Sequence, residues 1–420
     1  MSSIKYLVIG IGFCLIGFSG VWGQAMPDTL HLLEIMRIAM EAHPQLNQLR
    51  VQFEAQQAQK WQAIGLPNPT VVYFKEGIGP ESHFTEQRWS IEQPLPSPLR
   101  SYSGVQRWYA ATQQLVYQIE ALRRTIRKTV KQAYTEVLYA REVMHMREQE
   151  IELADQVLQA VRLRVEAGEA TLLDQLKAEI QRSVARNNLA EAERRYHLAR
   201  YDLFRKAGLM PEHQRYELLI LDSLVYHPVV IRQEEVLAQL YHQPLLQAVQ
   251  SQEAMHRWQI REAQAEILPA VNVSVFMQDL GTGYRYKGFQ VGLQVPLWYW
   301  FNQHPRMVRV RAAFQQVRWQ RRDVELALKQ NIEEAWHGYD TARRRIQEFQ
   351  LSIASRSEQL LQLTLEAYQI GEIDLLSLLD TQRTYLDSRI QYYQALRDFY
   401  FQLIELEQYL DRELVFPINS

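Results

Sequence analysis

Apolar residues along this chain keep two rhythms. Leu115, Ile119, Leu122, Ile126, Val130, Ala133 and Val137 recur at helical spacing, as do Val324, Leu328, Ala335 and Tyr339. Their period of about 11 residues is close to that of a straight α-helix. Further along, Val137, Ala140, Met144, Ile151, Ala154, Leu158, Val161 and Val165 settle into heptads, matched by Tyr339 through Ile370. Heptads call for left-handed coiled-coil packing. The second rhythm is strict alternation. Phe289, Val291, Leu293 and Val295 interleave with Gly288, Gln290, Gly292 and Gln294, and Trp89 and Ile91 interleave with Arg88, Ser90 and Glu92. That period of two is the mark of a strand with one apolar face.

The predicted order is helix Leu30–Ala63, β-hairpin 70–93 turning near Gly77–Pro80, helix Arg100–Glu166 and return helix Leu172–Lys206. Then come helix Ile231–Ile267, β-hairpin 270–295 turning near Gly281–Gly283, helix His304–Ile370 and return helix Leu375–Leu410. Pro67 and Pro69 end the first helix by withdrawing a donor and restricting the residue before each proline.

The second set copies the first. Ala167-Gly168-Glu169-Ala170-Thr171-Leu172-Leu173-Asp174 is echoed by Ile370-Gly371-Glu372-Ile373-Asp374-Leu375-Leu376-Ser377, about 203 positions later. His43-Pro44 answers to Gln243-Pro244, Leu66-Pro67 to Leu268-Pro269, and Gln93-Pro94-Leu95 to Val295-Pro296-Leu297. Such a period marks a tandem duplication. Repeat one covers 26–206 and repeat two 231–410, with a linker at 207–230 and a tail at 411–420. Each long helix measures ~100 Å at 1.5 Å per residue. The two shorter helices of a repeat, laid end to end, equal it, which predicts staves of a cylinder.

Composition narrows the class. The 420 residues carry a formal charge of -2 with no long basic run, so nucleic acid is not an expected partner. Lys5, an apolar stretch from Tyr6 to Phe18, and the small-x-small Gly23-Gln24-Ala25 predict a signal peptide over 1–25. Cys14 is the only cysteine, lies inside that segment and follows Phe13 rather than a small residue, so neither a lipid anchor nor a disulfide is expected. No later stretch has the roughly 20 apolar residues of a membrane-spanning helix. Strands of alternating character fit a water-filled barrel in lipid. Four strands close no useful bore, so several chains must share one. Trp89 and the run Trp298, Tyr299, Trp300 and Phe301 are candidates for an interfacial aromatic belt. A half-buried soluble sheet is the competing reading.

No catalytic constellation is present. Histidines are dispersed, and neither a GxGxxG nor a phosphate loop occurs, so no enzyme activity, cofactor or metal site is expected. The candidate functional residues lie at the two glycine turns, where Glu166, Glu169, Glu366, Glu372, Asp374 and Asp380 concentrate acidity. Thr171-x-x-Asp174 also spells a capping box, Asp374 a helix N-cap, and Gly168 and Gly371 left-handed helix ends.

In its duplication, its alternation of helix, β-hairpin and helical hairpin, its glycine turns before Leu-rich return helices, and Thr381-Gln382-Arg383-Thr384-Tyr385-Leu386, the chain resembles the TolC family of outer-membrane efflux proteins. Around Leu375 to Leu386 it is similar to that family's heavy-metal cation-efflux branch. The resemblance implies a mainly α fold with a transmembrane β-barrel. A homotrimer would form a twelve-stranded barrel in outer-membrane lipid, continued by a twelve-helix α-barrel across the periplasm. It implies a passive duct working with a periplasmic adaptor and an RND-type inner-membrane transporter. Gly168, Gly371, Glu169 and Glu372 would meet the adaptor. Asp380 stands where the family places a constricting acid, Asp174 at the matching turn, and Tyr368 close enough to hydrogen-bond near Asp174. Ser377 stands where relatives carry a second acid. A soluble periplasmic coiled-coil scaffold or adaptor is the alternative.

Overall fold

The computed structural model describes residues 29–78, 85–209, 217–218, 222–281, 283–352 and 354–416. The signal segment with Cys14, the turn residues Gly79, Pro80 and Thr282, and parts of the linker and tail lie outside them. In chain order the elements are β1 (Thr29–Leu30), α1 (Leu32–Ala42), α2 (Pro44–Ala58), β2 (Thr70–Glu76), β3 (Glu86–Leu95), α3 (Pro98–Glu166) and α4 (Leu172–Lys206). The second unit follows with β4 (Glu217–Leu218), α5 (Gln233–Ala238), α6 (Pro244–Ala265), β5 (Ala270–Asp279), β6 (Arg285–Gln294), α7 (Tyr299–Ser352), α8 (Ala354–Gln369) and α9 (Leu375–Leu410).

The two β-hairpins join through β3 and β5 into one antiparallel sheet, in the order β2-β3-β5-β6. The register gathers Val71, Tyr73, Trp89, Ile91, Val275, Met277, Phe289, Val291 and Leu293 on one face. All of them are exposed in the single chain. The opposite face carries Phe74, Arg88, Gln278 and Tyr286 in one row and Val72, Ser90, Phe276 and Gly288 in the next. Ser90 and Ser274 on it are buried, as on the inner side of a curled sheet. β2 and β6 each leave one edge unpaired among the described residues.

Both short-helix regions depart from the sequence reading in the same way. The expected helix Leu30–Ala63 is divided at His43, whose ψ of 125 is extended, and Ile231–Ile267 is divided at Gln243, with ψ of 127. Pro44 and Pro244 follow them. Proline disfavours the α conformation in the preceding residue and starts a helix well, so a new helix begins at each. α7 starts at Tyr299, ahead of the expected His304, and accommodates Pro305 close to its start.

The 69-residue α3, ~100 Å long, packs against α6 and α4. α4 buries Ala178, Ala185, Ala192 and Ala199, one alanine every seven residues, so its backbone approaches α3 closely. The facing stripe on α3 runs through Met146, Glu150, Ala154, Val157 and Val161, and so leaves the predicted seam at Met144 and Ile151. Buried Glu150 accepts from Arg147 Nη1 at 2.7 Å and Asn188 Nδ2 at 3.1 Å.

Midway along the helices a core unites the repeats. Ile35, Val130, Val137, Leu203, Leu246, Ile332, Phe399 and Leu406 meet there, all essentially inaccessible. Phenols and an indole hold the linker against this core. Tyr134 OH donates to Asp222 Oδ2 at 2.7 Å, Tyr400 OH to the Val225 carbonyl at 2.7 Å, Tyr339 OH to the Val229 carbonyl, and Trp336 Nε1 to the Ile231 carbonyl at 3.2 Å. Burial, reinforced by the Asp222 carboxylate, holds the Tyr134 hydroxyl protonated far above the ordinary range. The segment after α9 is fastened there as well. Fully buried Lys131 donates to Glu407 Oε1 at 2.5 Å and to the Val415 carbonyl at 2.6 Å. Glu407 Oε2 accepts from the Leu414 and Val415 amides.

Candidate functional site

Each helical hairpin reverses on a glycine in the left-handed region, Gly168 at φ 79 and Gly371 at φ 81. The glycine amide bonds to the carbonyl three residues back, Val165 at 3.0 Å and Tyr368 at 3.1 Å. The glutamate amide that follows reaches five residues back, from Glu169 to Arg164 at 2.8 Å and from Glu372 to Ala367 at 2.9 Å. These paired bonds satisfy carbonyls the helix end would otherwise orphan. An L side chain in that conformation costs about 1–2 kcal/mol. The Glu169 and Glu372 side chains are exposed at the extreme end of the molecule.

The acids divide into two sorts. Asp174 is held in a capping box: its Oδ2 accepts from the Thr171 hydroxyl at 2.7 Å and the Thr171 amide at 3.2 Å. Its own amide donates to Thr171 Oγ1 at 3.2 Å. Those bonds hold its carboxyl below the ordinary carboxylate range. Asp374 caps α9 by accepting the Ser377 amide at 2.9 Å, and the Ser377 hydrogen bonds lower its pKa too. Ser377 is thus exposed and positioned as the capping partner. Asp380, three residues further along α9 than Ser377, is exposed, and among the described residues its carboxylate has no partner.

Tyr368 is buried rather than displayed. It lies with Val157, Leu158, Val161, Ala178, Leu375 and Leu378 in a small core drawn from both repeats. Burial raises its hydroxyl pKa. No hydrogen bond joins it to Asp174 among the described residues; its partner is Arg164, which sequence reasoning passed over. The Arg164 guanidinium sits 5.0 Å from the Tyr368 ring centre, and its Nη1 donates to the Tyr368 carbonyl at 3.0 Å. Its Nη2 lies 3.4 Å from where a Cβ on Gly371 would be. Arg164 therefore fastens the tip of repeat one to that of repeat two. The only sequence signal was a cation in the last turn of a helix, where it suits the dipole anyway.

The proposed belt residues lie where strands meet helices. Trp298, Trp300 and Phe301 are all strongly exposed, and Tyr299 is half-buried. Trp89 is not beside them. It stands on the apolar face of β3 toward the hairpin end, its ring 4.6 Å from Tyr73. Among the described residues no helix is long and apolar enough to cross a membrane, and no group of three or more metal-ligating side chains occurs.

This is an architecture of long helical hairpins carried on a short, open-edged sheet. The chain matches the outer membrane efflux protein family over residues 86–209 and 238–412, and belongs to it. Solved structures agree on the fold. The VceC outer membrane protein of Vibrio cholerae is 14% identical, with 90% of this chain and 95% of that one covered at a TM-score of 0.75. The CmeC outer membrane channel of Campylobacter jejuni is 12% identical, with 90% and 85% covered at 0.77. The MtrE outer membrane channel of Neisseria gonorrhoeae, in its open state, is 18% identical, with 90% and 88% covered at 0.74. No curated protein matches the sequence.

Proposed function

We propose that three copies of this chain build a duct in the outer membrane, with the helical hairpins in the periplasm. In this reading the duct exports solute passively, delivered by a periplasmic adaptor and an RND-type inner-membrane transporter that supplies the energy. The observation that carries it is the sheet. β2 and β6 end in open edges while the face through Trp89, Val275 and Phe289 is apolar and exposed. Lipid tolerates no open strand edge, so the sheet must close on copies of itself. Three copies give twelve strands; β3, β5 and β6 have 10 residues each, within the roughly 9–11 that cross a bilayer, and β2 has 7. A soluble scaffold would leave that apolar face in water.

Asp380 is the acid we assign to the pore constriction, because Asp174 and Asp374 are committed to helix N-termini. Threefold symmetry makes it a ring, and carboxylate rings favour cations. The turns at Gly168 and Gly371, with Glu169 and Glu372, are the surface offered to the adaptor. Single-channel recording of the purified protein in a planar bilayer tests the duct and the constriction. Small cation-selective openings that enlarge in Asp380→Ala support them. Openings indifferent to the substitution remove Asp380 as the constriction, and failure of the wild type to insert removes the duct.

A further inference from the structure

The polar face of the sheet carries a cation that neither the family nor the tip chemistry accounts for. Arg88 on β3 stands in one row with Phe74, Gln278 and Tyr286. Its guanidinium lies 5.0 Å from the ring centre of Phe276, one row away on β5. That ring in turn lies flat across β6 at Gly288, where any Cβ would come within 2.5 Å of it. The glycine opens the space, the phenylalanine fills it, and the arginine is spread over the phenylalanine. Stacking of this kind fixes a guanidinium plane while leaving its edge free to donate. Two carboxylates, Glu76 and Glu86, lie opposite each other one row nearer the hairpin end, and Glu86 Oε1 accepts from Gln278 Nε2 at 2.6 Å. Among the described residues Arg88 makes no ion pair. Glu92 belongs to the other end of the strand, opposite Thr70. The row therefore offers one oriented guanidinium without a salt bridge among the described residues, beside Phe74 on the adjacent strand, which is about half exposed.

We propose that this row is a binding step on the inner wall of the barrel for planar organic anions, aromatic carboxylates above all. The Arg88 fork would take the carboxylate by two parallel hydrogen bonds, and Phe74 on the adjacent strand would take the ring. The site rests on the duct reading, which puts the polar face in the lumen.

The test is side-specific block of single channels by 2-naphthoate, with acetate as the control anion. The large helical body stays on the side where protein is added, so the barrel mouth opens to the other. Naphthoate applied at the mouth should block wild-type current where acetate does not. Arg88→Gln should raise the half-blocking concentration about fivefold or more, the loss expected for a charge-assisted pair. Arg88→Lys, which keeps the charge but not the fork, should fall between. Block applied from the helical side should be the same in all three. Equal block of wild type and Arg88→Gln from the mouth, or no block of a conducting wild type, overturns the inference and leaves the duct standing. A wild type that forms no channel defeats the duct instead.

Discussion

The tips of the two helical hairpins share a backbone and differ in chemistry. Both close on a left-handed glycine with the same pair of amide bonds. Moved by the repeat offset, however, Thr171 becomes Asp374, Asp174 becomes Ser377, Lys177 becomes Asp380 and Arg164 becomes Ala367. Repeat one caps its helix with a hydroxyl, keeps the acid at the third position, and has Lys177 3.9 Å from that acid. Repeat two caps with the acid itself and has a free carboxylate where the lysine was. Duplication preserved what the turn needs geometrically. It left the charges to diverge, so one tip is internally neutralised and the other presents charge.

Beside the small shared core, Arg164 is the polar link between the tips among the described residues, and its removal should have the largest effect. Arg164→Ala removes a charge-assisted hydrogen bond from the Tyr368 carbonyl, which keeps only the Gly371 amide, and unstacks the Tyr368 ring, which should cost about 2–3 kcal/mol of local stability. Hydrogen exchange at the amides around Gly168 and Gly371 should accelerate together. Acceleration confined to repeat one would show that the tips are independent.

The glycines come next. Gly168→Ala and Gly371→Ala should each cost about 1–2 kcal/mol. The two should cost the same, since the nearest atom to a Cβ on Gly371 is Arg164 Nη2 in ordinary contact at 3.4 Å and nothing lies near one on Gly168. Thermal unfolding shifts that differ by more than about 1 kcal/mol would show that the backbone strain at the two turns is unequal. A smaller loss, about 1 kcal/mol, is expected for Thr171→Ala, which opens the capping box. Because the Asp174 pKa is depressed in the folded chain, its contribution is complete above the usual carboxylate value. It fades as pH falls through the lowered one. An Asp174 carboxyl titrating at or above 3.8 by NMR would contradict this. Smallest of all, Lys177→Ala should change stability by no more than about 0.5 kcal/mol, as exposed ion pairs generally do.

What the sequence disclosed follows the reach of the forces involved. The repeat, the strands and the glycine turns are set by residues a few positions apart, and proline, glycine and alternation announce them. Pro44 and Pro244 were legible as landmarks of the repeat, yet their effect on His43 and Gln243 was missed. The alanines at 178, 185, 192 and 199 recorded a helix contact that a search for large apolar residues passes over. At the tip, the capping role of Asp174 was written in Thr171-x-x-Asp174. The alliance of Arg164 with Tyr368 spans some two hundred residues and leaves no local pattern, and neither do the phenols that hold the linker.

The clamp formed by Lys131 and Glu407 sets an order of events. A buried lysine without its partner costs about 3–5 kcal/mol. Both its acceptors, the Glu407 carboxylate and the Val415 carbonyl, lie 276 and 284 residues further along the chain. Synthesis delivers α3 long before them. A chain interrupted before Glu407 therefore carries an unanswered charge at the centre of its core, and only copies that reach Val415 can become durable. This acts as proofreading by the polypeptide itself, because copies cut short of these residues never settle the charge in their core.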